Sequence, residues 1–375
     1  MIVDFETPTR VTLAVVSLGT PQRLRDCFDS LERQESRHAF SVVCVVNPAG
    51  ALADDPEWMF PAGVKVVRPS VNLGWAGGLH LARSFITSEY FVWVQEDMQV
   101  LDGWLDALVD AADEHPEFAA FGSRGVDAEG NPAGFSAGRA EPAHNVYDWN
   151  YTDTTRERVP ESVTQVDWVT SKGMLTRTTA WDAIGGTNPR LFPLGHVDKD
   201  YCTHLRAHGF ESALVPDARL THLGSQSSPS NFRLFLNEWG ETAFNDKWGP
   251  VVEELATKPG HPAAHSCHPW AATEGVDVVA LVTSACGEVA SVMLVAYARW
   301  INAKHAAELT DGRAGLASLD AHLGALSASV AGLEHMHSDY VEQIRTSTSW
   351  RVTAPLRAVG MLARAVTGRL KHHGD

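Results

Sequence analysis

The chain has 375 residues, 44% of them hydrophobic and 20% charged, which supplies a large core, allows more than one domain and excludes a disordered chain. A formal net charge of −16 argues against a general nucleic-acid binder, which needs a basic face. Five scattered cysteines without a CxxC pair suit a reducing cytosol, and the polar, acidic residues 1–10 predict no signal peptide.

Val11 to Ser17 (VTLAVVS) is a near-continuous apolar run, the pattern of a strand buried on both faces. Pro21 then opens a helix with Leu24, Cys27, Phe28 and Leu31 at helical spacing. Phe40 to Val46 predicts a second buried strand, ended by Asn47-Pro48-Ala49-Gly50, and Val64 to Val67 a short third. Next comes the stretch on which the reading hangs. A Gly-rich turn (Asn72, Gly74, Gly77, Gly78) opens a helix that leads into an apolar strand, Tyr90 to Val94, and the strand ends in Glu96 and Asp97. This β-α-β-α order predicts a parallel sheet with helices on its faces, whose strand ends converge on one crevice. Two carboxylates at that edge are placed to hold a ligand or a metal.

Gly103 to His115 predicts a helix, Ala119 to Phe121 a strand, and 127–158 an irregular excursion rich in Gly, Pro, Asn and Asp. Val166 to Val169 is apolar and leads into Thr170-Ser171-Lys172-Gly173. Asp198-Lys199-Asp200 opens a helix through Ala207 that Gly209 caps, Ser212 to Val215 is a strand, and His222 follows. The first domain is read as 1–250, and the Pro/His-rich segment 251–275 as a linker. Val276 to Trp300 is apolar but interrupted by Asp277 and Glu288, which predicts a buried helix rather than a membrane span. Within the helical region 276–345, apolar residues from Leu316 to Ile344 alternate at threes and fours, which fits a coiled coil and a homodimer, or a single amphipathic helix packed on its own domain. Residues 346–375 form a basic tail, and Arg357, Arg364 and Lys371 recur at sevens beside an apolar face. It suits an anionic membrane surface, or a solvated terminal helix.

Four stretches in order carry a family resemblance. NLGWAGG, YFVWVQEDMQVLDGWLDAL, IGGTNPRLFPLGHVDKDYCTHLRAHGF and THLGSQS resemble motifs of bacterial family-2 glycosyltransferases, especially the rhamnosyltransferase-like branch. The resemblance implies an α/β domain of the GT-A fold, Rossmann-like with a mostly parallel central sheet, followed by a mainly helical C-terminal region with a coiled-coil segment. It implies inverting transfer of a hexose or deoxyhexose from a nucleotide-diphosphate donor to a cell-surface polysaccharide or lipid-linked acceptor, at the cytoplasmic membrane face. Asp97, with Glu96 beside it and His222, would hold Mg²⁺ or Mn²⁺ against the donor diphosphate. Asp198 would be the catalytic base, with Asp200 second. Ser17, Thr20 and Asn47 would hydrogen-bond base or ribose, while Asn72, Gly74 and Gly78 would shape the turn beneath the donor. The plainer alternatives are a solvated strand end for Glu96 and Asp97, a first-turn helix acid for Asp200, a structural imidazole for His222 and an ordinary tight turn for the glycines. Val46, Gln95, His80 and Val197 stand where the family carries an acid or an asparagine, so each removes a charge or a hydrogen bond from the expected site. That leaves a second reading, a catalytically degraded GT-A domain acting as a dimeric glycan-binding or scaffolding protein.

Overall fold

Val11–Ser17 (β1) and Phe40–Val46 (β2) are apolar at nearly every position, and every residue of both is buried. They pair in parallel, and β1 also pairs in parallel with Tyr90–Gln95 (β4), while β2 carries the short Lys65–Val67 (β3) on its outer side. The computed structural model describes residues 2–18, 20–48, 60–133, 136–138, 160–222, 230–261, 277–310 and 327. Of the remaining strands, Met98–Val100 is β5, Phe118–Gly125 is β6, Ala137–Gly138 is β7, Thr164–Val166 is β8, Trp168–Val169 is β9, Met174–Arg177 is β10 and Glu211–His222 is β11. The central sheet runs β3-β2-β1-β4-β10-β6-β11-β5, with β8 paired to β11 off that path.

The parallel expectation holds from β3 to β4 and again between β6 and β11. Between these halves β10 lies antiparallel to both neighbours. It enters at the edge where β4 ends, with Gly173 N–H donating to Trp93 O at 3.1 Å, and so must run back across the sheet. Helices cover both faces. Pro21–Arg33 (α1) and Trp104–Glu114 (α3) bury Phe28, Leu31, Leu105 and Leu108 on one side. Gly74–Arg83 (α2), Thr178–Ile184 (α4) and Val197–Ala207 (α5) bury Leu79, Ile184, Tyr201 and Leu205 on the other. This is the mixed α/β arrangement of a GT-A domain, with helical structure C-terminal to it.

Three expectations change. The linker expected from 251 is, over its described part, folded onto α5. Val252–Thr257 (α7) follows Ser230–Trp248 (α6), Leu255 packs with Phe244 and Trp248, and the Arg206 guanidinium donates to Leu255 O. His80, expected to cost the site a hydrogen bond, is buried, lies edge-on to Trp181 and sits 2.8 Å from Thr187 O through Nε2. The helix expected to be buried, Val278–Thr310 (α8), is only partly buried, with Val282 and Cys286 inside but Val292 at 61% and Val295 at 53%. Within Val278–Ala306 an 18-residue window reaches a mean hydropathy of 2.0 with 28% of that window buried, so by length and composition the helix could cross a membrane. Its exposed positions mix Val292 and Val295 with Ser284, Glu288 and Arg299.

The chain divides into two compact units, Met1–Ala290 and Ser291–Asp375. In the first unit the start of α8 rests on the Gly-rich turn, where the Cys286 thiol lies 3.4 Å from Leu73 O. The heptad segment Leu316 to Ile344, apart from residue 327, and the basic tail 346–375 lie outside the described residues.

Candidate functional site

β4 ends at Gln95, and the chain turns through Glu96 and Asp97 into β5. β5 then pairs antiparallel with the end of β11, setting His222 opposite Met98. That register brings a histidine from residue 222 beside the acids of residues 96 and 97. β11 reaches β5 because its pairing with β6 is interrupted between Val215 and Arg219, around Pro216. His222 Nε2 lies 3.2 Å from Asp97 Oδ1 and 3.0 Å from Gln95 Oε1. Gln95 Nε2 in turn donates to Ser171 Oγ at 2.9 Å.

Asp198 enters from the first turn of α5. Its Oδ2 accepts from Ser171 N at 3.0 Å and its Oδ1 from Lys199 N at 2.9 Å. The residue just before α5, His196, holds a left-handed backbone at φ 55, uncommon outside glycine. It follows Gly195 and turns the chain sharply enough to aim Asp198 at the strand ends. Burial pushes the His196 imidazole below its ordinary basicity, and the nearby Lys199 ammonium adds to this.

Gln95, Glu96, Asp97, Ser171, Asp198 and His222 line one pocket of about 300 Å³. Trp75, Arg23 from α1, and Arg233 and Asn237 from α6 complete it. Burial alone would raise the Asp97 carboxyl. The His222 hydrogen bond and charge, its own backbone N–H and the Arg23 guanidinium outweigh that and hold it below the usual range. Asp97 is therefore an anion in a pocket that also presents two arginines, an arrangement for binding concentrated negative charge with a cation between. Among the described residues, no three His, Cys, Asp or Glu side chains converge as a metal set. Asp97 Oδ1, His222 Nε2 and the amide oxygen of Gln95 do converge, and hard oxygen plus imidazole donors fit Mn²⁺ or Mg²⁺.

The expected donor residues divide. Glu96 and Asp97 line the pocket, whereas Ser17, Thr20, Asn47, Asn72, Gly74 and Gly78 are not among its lining residues. Ser17 is fully buried and its hydroxyl donates to Glu96 Oε2, which also accepts from Thr20 N at 3.3 Å. Asn47 is buried and holds the turn, accepting from Leu73 N at 2.9 Å and donating to Gly74 O at 3.3 Å. Asn72 Oδ1 accepts from Gly74 N at 2.8 Å. Gly74 has φ +62, and a Cβ there would lie 2.5 Å from Pro193 O; one at Gly78 would lie 2.6 Å from Val16. At both glycines the backbone packs too closely for a side chain. Asp200, expected as a second catalytic carboxylate, points away from the pocket. It is 1% exposed, paired with Lys247 Nζ at 2.8 Å and accepting from Trp248 Nε1 at 2.9 Å, so it pins α5 to α6.

Ser171, Arg23 and Arg233 had no assigned role from sequence. Ser171 carried a local signal, a polar Thr-Ser-Lys-Gly break between two apolar runs. The arginines had none, because their approach depends on how α1 and α6 dock.

The glycosyltransferase-like family 2 model matches residues 8–239. No curated protein sequence matches the chain. Among solved structures, GalNAc-T7 with UDP, GalNAc and Mn²⁺ is similar at 11% identity and a TM-score of 0.49, over 73% of this chain and 59% of that one. A mannosyltransferase, PcManGT from Pyrobaculum calidifontis in complex with GDP-Man and Mn²⁺, is similar at 16% identity and a TM-score of 0.42, over 93% of this chain and 88% of that one. The chain thus spans 59% of the length of the first of these structures. With the family model covering most of the chain and every residue that lines the pocket, the protein belongs to glycosyltransferase-like family 2.

Proposed function

We propose that the protein is an inverting, metal-assisted glycosyltransferase that moves a sugar from a nucleotide-diphosphate donor to a hydroxyl of a surface polysaccharide or lipid-linked acceptor. The observation that carries this reading is one pocket in which Asp97 and Asp198, from distant parts of the chain, face a common space. Asp198, its carboxylate fixed by two backbone amides, takes the acceptor hydroxyl proton. The freed oxygen attacks the anomeric carbon as the bond to the diphosphate oxygen breaks on the opposite face, which inverts the centre. Arg23 and Arg233 lie where they draw the diphosphate and stabilise its developing charge. Asp97, His222 and Gln95 would hold Mn²⁺ or Mg²⁺, whose chemistry is to neutralise the leaving group as a Lewis acid. Trp75 offers a ring face to the sugar.

The four motifs favour a deoxyhexose donor of the rhamnosyl type. Residues 251–261 join the catalytic domain in this reading, the heptad segment supports a dimer, and α8 with the basic tail holds the enzyme at the inner face of the cytoplasmic membrane.

The test is a panel of UDP-, GDP- and dTDP-sugars with Mn²⁺, read as donor hydrolysis and transfer. Turnover is expected with one donor class. Asp198→Asn should cut kcat by about 10²-fold or more with donor binding kept, the range for loss of a general base. Asp97→Asn should abolish Mn²⁺-dependent donor binding. Glycan binding without turnover on any donor would instead favour the scaffolding reading.

A further inference from the structure

Where the family resemblance calls for a carboxylate, the chain has Gln95, and its amide is held in one orientation. Nε2 donates to Ser171 Oγ at 2.9 Å, which leaves Oε1 facing His222 Nε2 at 3.0 Å. The same imidazole nitrogen lies 3.2 Å from Asp97 Oδ1. One N–H of His222 is therefore shared between an amide oxygen and a carboxylate oxygen. Three donor atoms surround the place of a single proton, and a cation can take that place. Amide oxygens are ordinary ligands for hard divalent ions.

Building on the metal-assisted reading above, we propose that Gln95 Oε1 is a third protein ligand beside Asp97 and His222, oriented by Ser171. We further propose that this charge-poor set takes up Mn²⁺ only jointly with a nucleoside diphosphate. The three donors together carry one negative charge, that of Asp97, against the two positive charges of the ion. The diphosphate supplies the remainder, so ion and nucleotide each tighten the other's binding.

Ser171 is the positioning residue. Its hydroxyl fixes the amide, while its backbone N–H fixes Asp198. Replacing the side chain leaves the Asp198 contact in place but frees the amide to turn its NH₂ toward the ion, which repels it. Ser171 thus ties the metal ligands to the proposed base through one residue.

The experiment titrates the full-length protein with Mn²⁺ alone and with UDP, GDP or dTDP, following free Mn²⁺ by electron paramagnetic resonance. The wild type is expected to bind Mn²⁺ weakly alone and about tenfold or more tightly with its matching diphosphate. Gln95→Glu, nearly isosteric, should bind Mn²⁺ alone at least tenfold more tightly and show less gain from the nucleotide. Gln95→Ala and Ser171→Ala should weaken the joint binding about tenfold, and Ser171→Thr should restore it. Unchanged Mn²⁺ affinity in Gln95→Ala and Gln95→Glu, with binding lost in Asp97→Ala, overturns the role of Gln95 and leaves the metal-assisted reading standing. Tight Mn²⁺ binding without nucleotide overturns the joint uptake. No Mn²⁺ binding by the wild type with any of the three diphosphates overturns both readings.

Discussion

Asp198 and Asp200 lie two residues apart on one helical turn, and their neighbours give them different work. Asp198 is held by two backbone amides at the pocket wall, and Asp200 is buried against Lys247 and Trp248. Asp200→Ala strands a buried ammonium and should cost about 3–5 kcal/mol in a urea unfolding measurement. Asp198→Asn, at the pocket, should change stability by less than about 1 kcal/mol while removing turnover. The sequence ranks Asp198 ahead of Asp200 only through the family resemblance, because Lys247 is remote in the chain and nothing local announces it. His80 carries a pH prediction. Burial lowers its imidazole to about 4, against the upward pull of its bond to Thr187 O. The unfolded chain takes up that proton near pH 6.5 and the folded chain does not, so the contribution is full above pH 6.5 and is lost as pH falls to about 4. Urea midpoints measured at pH 7.5 and pH 5 should differ by more in the wild type than in His80→Asn, by at most about 2 kcal/mol.

At the scale of elements, the Gly-rich turn joins the two sides of the pocket. Asn47 grips it from β2, and Trp75 N–H donates to Pro193 O at 2.7 Å on the loop that leads to Asp198. Gly74→Ala meets both a left-handed backbone and the Pro193 carbonyl, so it should lower stability by about 2 kcal/mol or more in thermal or urea unfolding. It should also raise the acceptor KM more than the donor KM. The longer strands were readable as apolar runs because a strand buried on both faces has to be apolar throughout. β5 and β10 were not, since three or four residues such as Met98–Val100 and Met174–Arg177 carry no periodicity and owe their place to remote partners. The acid pair was readable because it ends such a run. What holds the donor loop was not legible, since the partners of Asn47 and Ser17, Leu73, Gly74 and Glu96, are remote in the chain. The segment after Pro250 looked like linker by composition, yet one apolar residue, Leu255, and the Arg206 guanidinium fold its first part into the domain.

For the whole molecule, exposure of α8 and the charge of the tail bear on where the enzyme works. Val278–Ala306 is longer than the roughly 20 residues needed to cross a bilayer, and Val292 and Val295 are exposed. Flotation with anionic vesicles should carry the full chain upward. Val292→Asp combined with Val295→Asp, or removal of residues 346–375, should each reduce the floating fraction, and high salt should weaken only the tail's share.

The outer strands of the sheet bear on how copies can meet. β3 at one end and β5 at the other are each three residues long, and Lys65 stands at the start of β3. Edges this short, with a charge on one of them, give an incoming strand too few unpaired backbone groups to form a ladder. Strand addition between molecules is therefore disfavoured at these two edges. Concentrated protein should stay free of thioflavin-positive aggregate, and any self-association should run through helical surface.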